Sequence, residues 1–64
     1  MPEIVVYLLE GRTIEQKRGL VKDITDAVVK NTGVAVEAVT VSLVETAKTA
    51  KGKGGVLFSE MAAR

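Results

Sequence analysis

The order of three patterned segments constrains the fold of this chain more than any other feature. Residues 4–9 form a continuous apolar run that begins with β-branched side chains, which predicts a strand buried on both faces. Thr13 and Gln16 lie three positions apart, as in a capping box, so a helix is expected to begin near Ile14. Residues 39–45 then alternate between apolar and polar side chains until Val44, which predicts a second strand.

The predicted helix carries one apolar stripe and ends at a glycine. Its charged positions fall mostly on the side opposite the stripe, as expected for a helix with one packed and one solvated face. Gly33 is expected to take the left-handed conformation that is common just beyond a helix end. The stripe contains Leu20, Val21, Ile24, Ala27 and Val28.

A strand, a helix of about five turns and a second strand predict a βαβ unit of the α/β class. Its strands are expected to be parallel and its crossover right-handed. The glycine-rich segment 51–55 and the apolar residues 56–58 predict a C-terminal turn followed by a short strand, placed to extend a neighbouring subunit's sheet. The sequence shows no internal repeat or linker, so residues 1–64 are expected to form a single domain.

The length of the chain makes assembly with other subunits an expectation. A domain of 64 residues hides only about 60% of the surface of its unfolded chain, and it is marginally stable without cross-links, metals or partners. The sequence contains no Cys and no His, which excludes disulfides, a Ser-His-Asp triad and the usual zinc ligands. Extra buried area is therefore expected to come from a homo-oligomer or a hetero-oligomer, and no metal and no cofactor are expected.

Charge and hydropathy argue against nucleic-acid and membrane partners. Nine basic and eight acidic residues give a net charge of +1, and the basic residues are scattered rather than interleaved with aromatic ones. The apolar run at residues 4–9 is far shorter than the roughly 20 residues of a membrane span, and the N-terminus lacks the plan of a signal peptide. We therefore expect a cytoplasmic protein that binds neither nucleic acid nor membrane.

Pro2 has the most distinctive chemistry in the chain, because removal of Met1 would leave it with a free secondary amine. An internal proline nitrogen is an amide and has no lone pair to offer. An ordinary α-amino group titrates near about 7.7 to 8.0, and burial beside a cation disfavours its protonated form, which suits a general base at neutral pH. If Met1 stays, Pro2 is only the residue that leads a strand.

Four segments of the sequence carry a resemblance to a known family. They are Pro2, the stretch Leu-Glu-Gly-Arg ending at Arg12 with Glu-Gln-Lys ending at Lys17, the second strand ending in Glu45, and the glycine pair at 54–55. Over nearly its whole length the chain resembles the 4-oxalocrotonate tautomerase family. The resemblance implies the tautomerase fold, with βαβ units pairing into dimers and three dimers forming a hexamer, and it implies an isomerase of aromatic catabolism.

The resemblance also implies a reaction and its residues. The reaction is an enol-to-keto 1,3- or 1,5-proton transfer on 2-hydroxy-dienoate or enolpyruvate-type acids. Pro2 matches the family's general base, and Arg12 matches the arginine that binds the far carboxylate. Thr40 stands where the family has a second arginine, and Lys51 stands where it has an aromatic residue near the proline. The implied substrate-binding residues are thus Arg12, Thr40 and Lys51.

The two departures affect the expected substrate. A charge-assisted hydrogen bond contributes about 1.5 to 3 kcal/mol, so loss of the second arginine lowers turnover of a dicarboxylate such as 2-hydroxymuconate by roughly tenfold to a hundredfold or more. On this interpretation Lys51 partly replaces the missing charge from a new direction, and it also lowers the basicity of Pro2.

Other interpretations remain open at the level of the sequence. The chain is alternatively a non-catalytic or half-site subunit that assembles with a related chain supplying the missing arginine, or a small anion-binding oligomer. Residues 51–55 have the glycine content of a phosphate-binding loop but lack the spacing of a P-loop. Glu10 and Glu45 are interpreted as solvated strand ends rather than as an acid/base pair.

Overall fold

The computed structural model describes residues 2–61 and contains the βαβ unit predicted from the sequence. The two long strands pair in parallel over their whole length, as predicted, and the helix connects them. The second strand begins and ends one residue later than its pattern indicates. The three elements are β1 at Glu3–Leu9, α1 at Ile14–Thr32 and β2 at Thr40–Thr46.

Both ends of α1 are fixed by local hydrogen bonds that the sequence predicts. The backbone N–H of Gln16 donates to Thr13 Oγ1 at 3.1 Å, and the N–H of Thr13 donates to Gln16 Oε1 at 2.9 Å. At the other end Gly33 adopts a φ of 76° and its N–H donates to the Val29 carbonyl at 2.9 Å. The capping box and the glycine stop are therefore confirmed; the first fixes the entry from β1 into the helix, and the second fixes the end of the helix.

The half-buried side of α1 differs from the predicted stripe at four positions. Ala27 is exposed, whereas Lys17, Thr25 and Val29 are half-buried. The Thr25 hydroxyl donates to the Val21 carbonyl at 2.7 Å, which satisfies its polar group within the helix and allows it to lie on the packed side.

The helix covers one face of the two-stranded sheet and leaves the other face open. Exposure alternates along β1, and 71% of Tyr7, 44% of Val5 and 41% of Val44 are exposed on the uncovered face. The prediction that the first strand is buried on both faces is therefore wrong for the single chain, because no element within residues 2–61 packs on that face. The less exposed side chains on the helix face are Ile4, Val6, Leu8, Val41 and Leu43.

The C-terminal third forms a small hairpin followed by one turn of helix. The glycine pair has φ angles of 62° and 84°, the two positive values that a two-residue type I′ turn requires, and it joins two short antiparallel strands. The predicted turn is confirmed, but the segment before it is also a strand, and Phe58 begins a helix instead of ending the strand. These elements are β3 at Gly52–Lys53, β4 at Val56–Leu57 and α2 at Phe58–Met61; 3₁₀ helices occur at Val36–Ala38 and Lys48–Ala50.

No residue in the described range is fully buried. The radius of gyration is 15.1 Å, whereas a compact chain of this length has a radius of about 11 Å. The single chain thus lacks an enclosed core within residues 2–61, which favours assembly with other subunits. Neither helix in this range combines the length and the hydropathy that crossing a membrane requires.

Candidate active site

The amino end of the sheet brings Pro2 and Thr40 together. The Thr40 backbone N–H donates to the Pro2 carbonyl at 3.0 Å, immediately before the first pair of the parallel ladder. Pro2 is half-buried, and Thr40 is exposed. Two of the residues predicted for the site are therefore neighbours, and a side chain at position 40 projects from the strand end on which the proline lies.

The turn after the carboxyl end of β1 places Arg12 in a cleft with mixed chemistry. The cleft has a volume of about 230 Å³. A planar guanidinium binds a carboxylate through two parallel hydrogen bonds, and leucine side chains offer an apolar surface to the hydrocarbon part of the same molecule. The arrangement therefore suits an organic anion. The lining residues are Leu8, Arg12, Gln16, Lys17 and Leu20.

An ion pair that the sequence reasoning missed borders this cleft. Lys17 Nζ lies 2.8 Å from Glu45 Oε1, and Glu45 is directly opposite Leu8 in the parallel register. Glu45 is an exposed residue, as predicted, but its side chain is 27% exposed and is paired with Lys17, which was not predicted. The two residues are 28 positions apart, so only the register of β1 against β2 brings them together.

Arg12 itself is free of ionic partners in the described part of the chain. The ion pairs found among residues 2–61 are Lys17–Glu45 and Lys22–Asp26. The second pair lies on the solvated side of α1, where the hydrogen bond and the charge of Asp26 raise the pKa of Lys22. Arg12 therefore presents an exposed guanidinium whose donors are available to a ligand.

Lys51 is held at the base of the C-terminal hairpin. Its Nζ lies 5.9 Å from the centroid of the Phe58 ring, and its carbonyl accepts the Phe58 N–H at 2.8 Å. A cation over an aromatic face is stabilised by the quadrupole of the ring. Lys51 directly follows the 3₁₀ helix Lys48–Ala50, so it lies beyond the carboxyl end of β2, downstream of the strand that Thr40 begins.

The four predicted site residues thus lie at two ends of the sheet. β1 has seven residues and spans about 23 Å at the rise of an extended strand. Pro2 precedes this strand and Arg12 follows it, so one small molecule cannot contact both residues of the same chain. The described residues also contain no group of acidic side chains arranged to hold a metal ion.

Comparison with known proteins identifies the family of this chain. A family model for tautomerase enzymes matches residues 2–61. A probable tautomerase from Bradyrhizobium diazoefficiens is 52% identical over 63 residues, which cover 98% of this chain and 94% of that protein. A 2-hydroxymuconate tautomerase from Bacillus subtilis is 43% identical over 61 residues, which cover 95% of this chain and 98% of that protein.

Solved structures show the same fold. TomN, a 4-oxalocrotonate tautomerase homologue in the tomaymycin biosynthetic pathway, superposes with a TM-score of 0.93 at 36% identity, covering 98% of this chain and 97% of the other. The tautomerase fold expected from the sequence is thereby confirmed. The β-α-β arrangement, the family match and these relatives lead to one conclusion: the chain belongs to the tautomerase family, within its 4-oxalocrotonate tautomerase group.

Proposed function

We propose that this protein is a tautomerase that catalyses 1,3- or 1,5-proton transfer on 2-hydroxy-dienoate or enolpyruvate-type acids. The observation that carries the proposal is the unpaired Arg12 guanidinium in a cleft flanked by leucines, in a member of the tautomerase family. Pro2 supplies the general base after Met1 is removed. Arg12 binds a carboxylate of the substrate, which is the one remote from the reacting hydroxyl in a dicarboxylate and the single one in an enolpyruvate-type acid.

The proposed proton transfer needs only one basic nitrogen and one anchored carboxylate. The Pro2 amine takes the proton of the 2-hydroxyl, the electrons of the O–H bond form the ketone, and the displaced double-bond electrons take the proton back at C3 or C5. The number of protons and electrons is unchanged, so no cofactor is needed. Arg12 fixes the position of the substrate relative to the amine, and in a dicarboxylate it also draws electron density toward the far carboxylate as charge develops.

The proposed site requires two chains. Since β1 separates Pro2 from Arg12 by about 23 Å, the amine of one protomer is expected to meet the guanidinium of another. The exposed Tyr7 and Val5 face would be covered by the same association, which supplies the buried area that a short chain lacks. The assembly we propose is a hexamer of three dimers, each formed by two βαβ units.

Thr40 and Lys51 determine whether the proposed site prefers monocarboxylates or dicarboxylates. Thr40 offers a hydroxyl where a second cation would bind a dicarboxylate, so the amino end of β2 contributes no positive charge at this position. Lys51, held by Phe58 at the hairpin of a neighbouring protomer, takes over only part of this role. Simple enolpyruvate-type monocarboxylates are therefore expected to be turned over more readily than 2-hydroxymuconate.

One alternative has a specific observation in its favour. Because Thr40 is neutral and adjacent to Pro2, the chain fits the role of a half-site subunit whose second cation comes from a related partner chain. Assay of the pure protein separates the two functions. A homo-oligomer of this chain ketonises an enol acid by itself, whereas a half-site subunit does so only when the partner is added.

The proposal is tested by comparing two forms of the protein, one with Met1 removed and one made with methionine aminopeptidase inhibited. Intact-mass spectrometry identifies each form. Ketonisation of phenylenolpyruvate and 2-hydroxymuconate is then followed by absorbance. The processed form is expected to be active and the form that retains Met1 inactive, because an amide nitrogen is not a base. Equal activity of the two forms would contradict the proposed role of Pro2.

A further inference from the structure

We propose that Lys17 is a positioning residue that holds Glu45 away from Arg12 and so keeps the Arg12 guanidinium free for an anionic ligand. The inference rests on the proposed function only in taking Arg12 as the carboxylate anchor. It assigns a role to the ion pair at the border of the cleft, and it explains how Arg12 stays unpaired although the lysine that lines the same cleft holds a carboxylate.

Two of the three charged groups line the cleft, and the third is paired with one of them. Arg12 and Lys17 both line it, and so does Leu8. Glu45 is the parallel partner of Leu8, on the same face of the sheet, and its Oε1 accepts from Lys17 Nζ at 2.8 Å. The Glu45 carboxylate is therefore adjacent to the wall of the cleft in which the Arg12 guanidinium lies.

A carboxylate in this place is a competitor for the ligand. Arginine binds carboxylates through a two-pronged arrangement that is stronger than the single contact of a lysine. Glu45 is attached to the same sheet, so its effective concentration at Arg12 is about millimolar or higher, which exceeds that of a typical diffusing acid. If Lys17 did not occupy Glu45, Arg12 would bind Glu45 and lose affinity for an external anion.

The Lys17–Glu45 pair is less exposed to solvent than the Lys22–Asp26 pair, so it is better suited to hold a carboxylate in place. The side chains of Lys17 and Glu45 are 26% and 27% exposed, whereas those of Lys22 and Asp26 are 73% and 58% exposed at the same N–O distance of 2.8 Å. A pair with less access to water is screened less and persists longer. Lys22 and Asp26 therefore provide a control ion pair of the same N–O distance whose residues do not line the cleft.

Gln16 does not take over the anchoring role of Arg12. Its Oε1 already accepts the Thr13 N–H in the capping box, which fixes the side chain at the start of α1. Lys17 is paired with Glu45, and Gln16 is hydrogen-bonded to Thr13. Of the two cations that line this cleft, Arg12 is therefore the one whose donors remain available.

The test is a set of variants, Lys17→Met, Glu45→Gln, the double variant and Lys17→Arg, with Lys22→Met as the control ion-pair variant. Methionine keeps the length of the lysine stem and its helix propensity. KM and kcat are measured with 2-hydroxymuconate, and the Kd of muconate, an unreactive dicarboxylate, is measured by calorimetry. The unfolding midpoint of each variant is recorded as well.

Lys17→Met is expected to raise KM and the muconate Kd by about fivefold to tenfold, with kcat within about twofold of the unmodified protein. Glu45→Gln alone is expected to leave the Kd within about twofold. The double variant regains the affinity that Lys17→Met loses, because the competing carboxylate is gone. Lys17→Arg and Lys22→Met bind muconate as the unmodified protein does.

Three results would overturn the inference. The first is a double variant that binds muconate as weakly as Lys17→Met, which would show that Lys17 only ties α1 to β2. The second is a Lys17→Met protein with unchanged Kd, and the third is no muconate binding by the unmodified protein. The Kd is measured without turnover, so muconate binding without ketonisation overturns the proposed function alone, whereas ketonisation with an unchanged Kd overturns the inference alone.

Discussion

The two ends of the sheet differ in what they offer a substrate. At the amino end, a backbone hydrogen bond joins Thr40 to Pro2. Pro2 is the proposed base, and neither residue has a positively charged side chain. Beyond the carboxyl end lie Arg12 in its cleft, the Lys17–Glu45 pair and Lys51 on Phe58. One end thus holds the base and the other holds the anion-binding groups, so the proposed activity belongs to an assembly and not to a single chain.

Removing the base at the amino end is expected to have the largest effect. Pro2→Ala replaces a secondary amine by a primary one of different geometry, and general-base catalysis contributes about a hundredfold to ten-thousandfold. We expect kcat/KM for phenylenolpyruvate to fall by about a hundredfold or more. Size-exclusion chromatography checks that assembly is unchanged. A variant that assembles normally and keeps its full rate would show that Pro2 is only a strand residue.

Removing the anchor at the opposite end is expected to have the next largest effect. Arg12→Ala deletes the charged hydrogen bonds to the carboxylate, so kcat/KM should fall by about tenfold to a hundredfold. Arg12→Lys keeps the charge but loses the two-pronged geometry, and it should recover only part of the rate. Steady-state kinetics measures both. The control is Arg18→Ala on the solvated side of α1, and an equal loss in that variant would contradict the role of the cleft.

Adding a cation at the amino end of the sheet should give this end an anion-binding group, as the carboxyl end already has. The Thr40 side chain is exposed while its backbone N–H holds Pro2, so Thr40→Arg changes the charge without breaking the ladder. We expect kcat/KM for 2-hydroxymuconate to rise by about tenfold, with little change for phenylenolpyruvate. Thr40→Gln, a neutral variant with a longer side chain, serves as the control. An equal gain for both substrates would argue against a second carboxylate site.

The smallest expected effect is a displacement of the pH profile. A cation near the proposed amine disfavours its protonated form, so removing that cation stabilises the protonated amine. In Lys51→Ala the pH at which activity appears should therefore move upward, by about half a unit to one unit. The pH dependence of kcat/KM measures this. Lys53→Ala changes an exposed lysine on β3 and should leave the profile in place.

The features that the sequence predicted well are those with local causes. The capping box of Thr13 and Gln16 and the left-handed Gly33 each depend on a few neighbouring residues, and both are present where expected. The glycine pair likewise predicts the hairpin turn. The start of α2 at Phe58 was missed, since it accompanies a hydrogen bond to Lys51 seven positions earlier.

The features that were missed depend on what packs against each element. Continuous apolar character in β1 predicts burial, but the exposure of Tyr7 is decided by whether anything covers that face. The Lys17–Glu45 pair forms only because the register of β1 against β2 and the packing of α1 on the sheet bring these side chains together. The chemistry of Pro2 and the family resemblance around Arg12 predicted both as site residues at opposite ends of one strand, and the length of β1 gives the distance that separates them within one chain.

Subunit mixing tests the proposed division of the site most directly. Pro2→Ala and Arg12→Ala proteins are each purified, unfolded together in equal amounts, refolded and assayed with phenylenolpyruvate. If each site takes its amine from one protomer and its guanidinium from another, about a quarter of the sites regain both groups, and activity rises well above that of either variant. If both groups come from the same protomer, every site keeps one defect, and absence of any recovered activity in assembled hybrids would contradict the account.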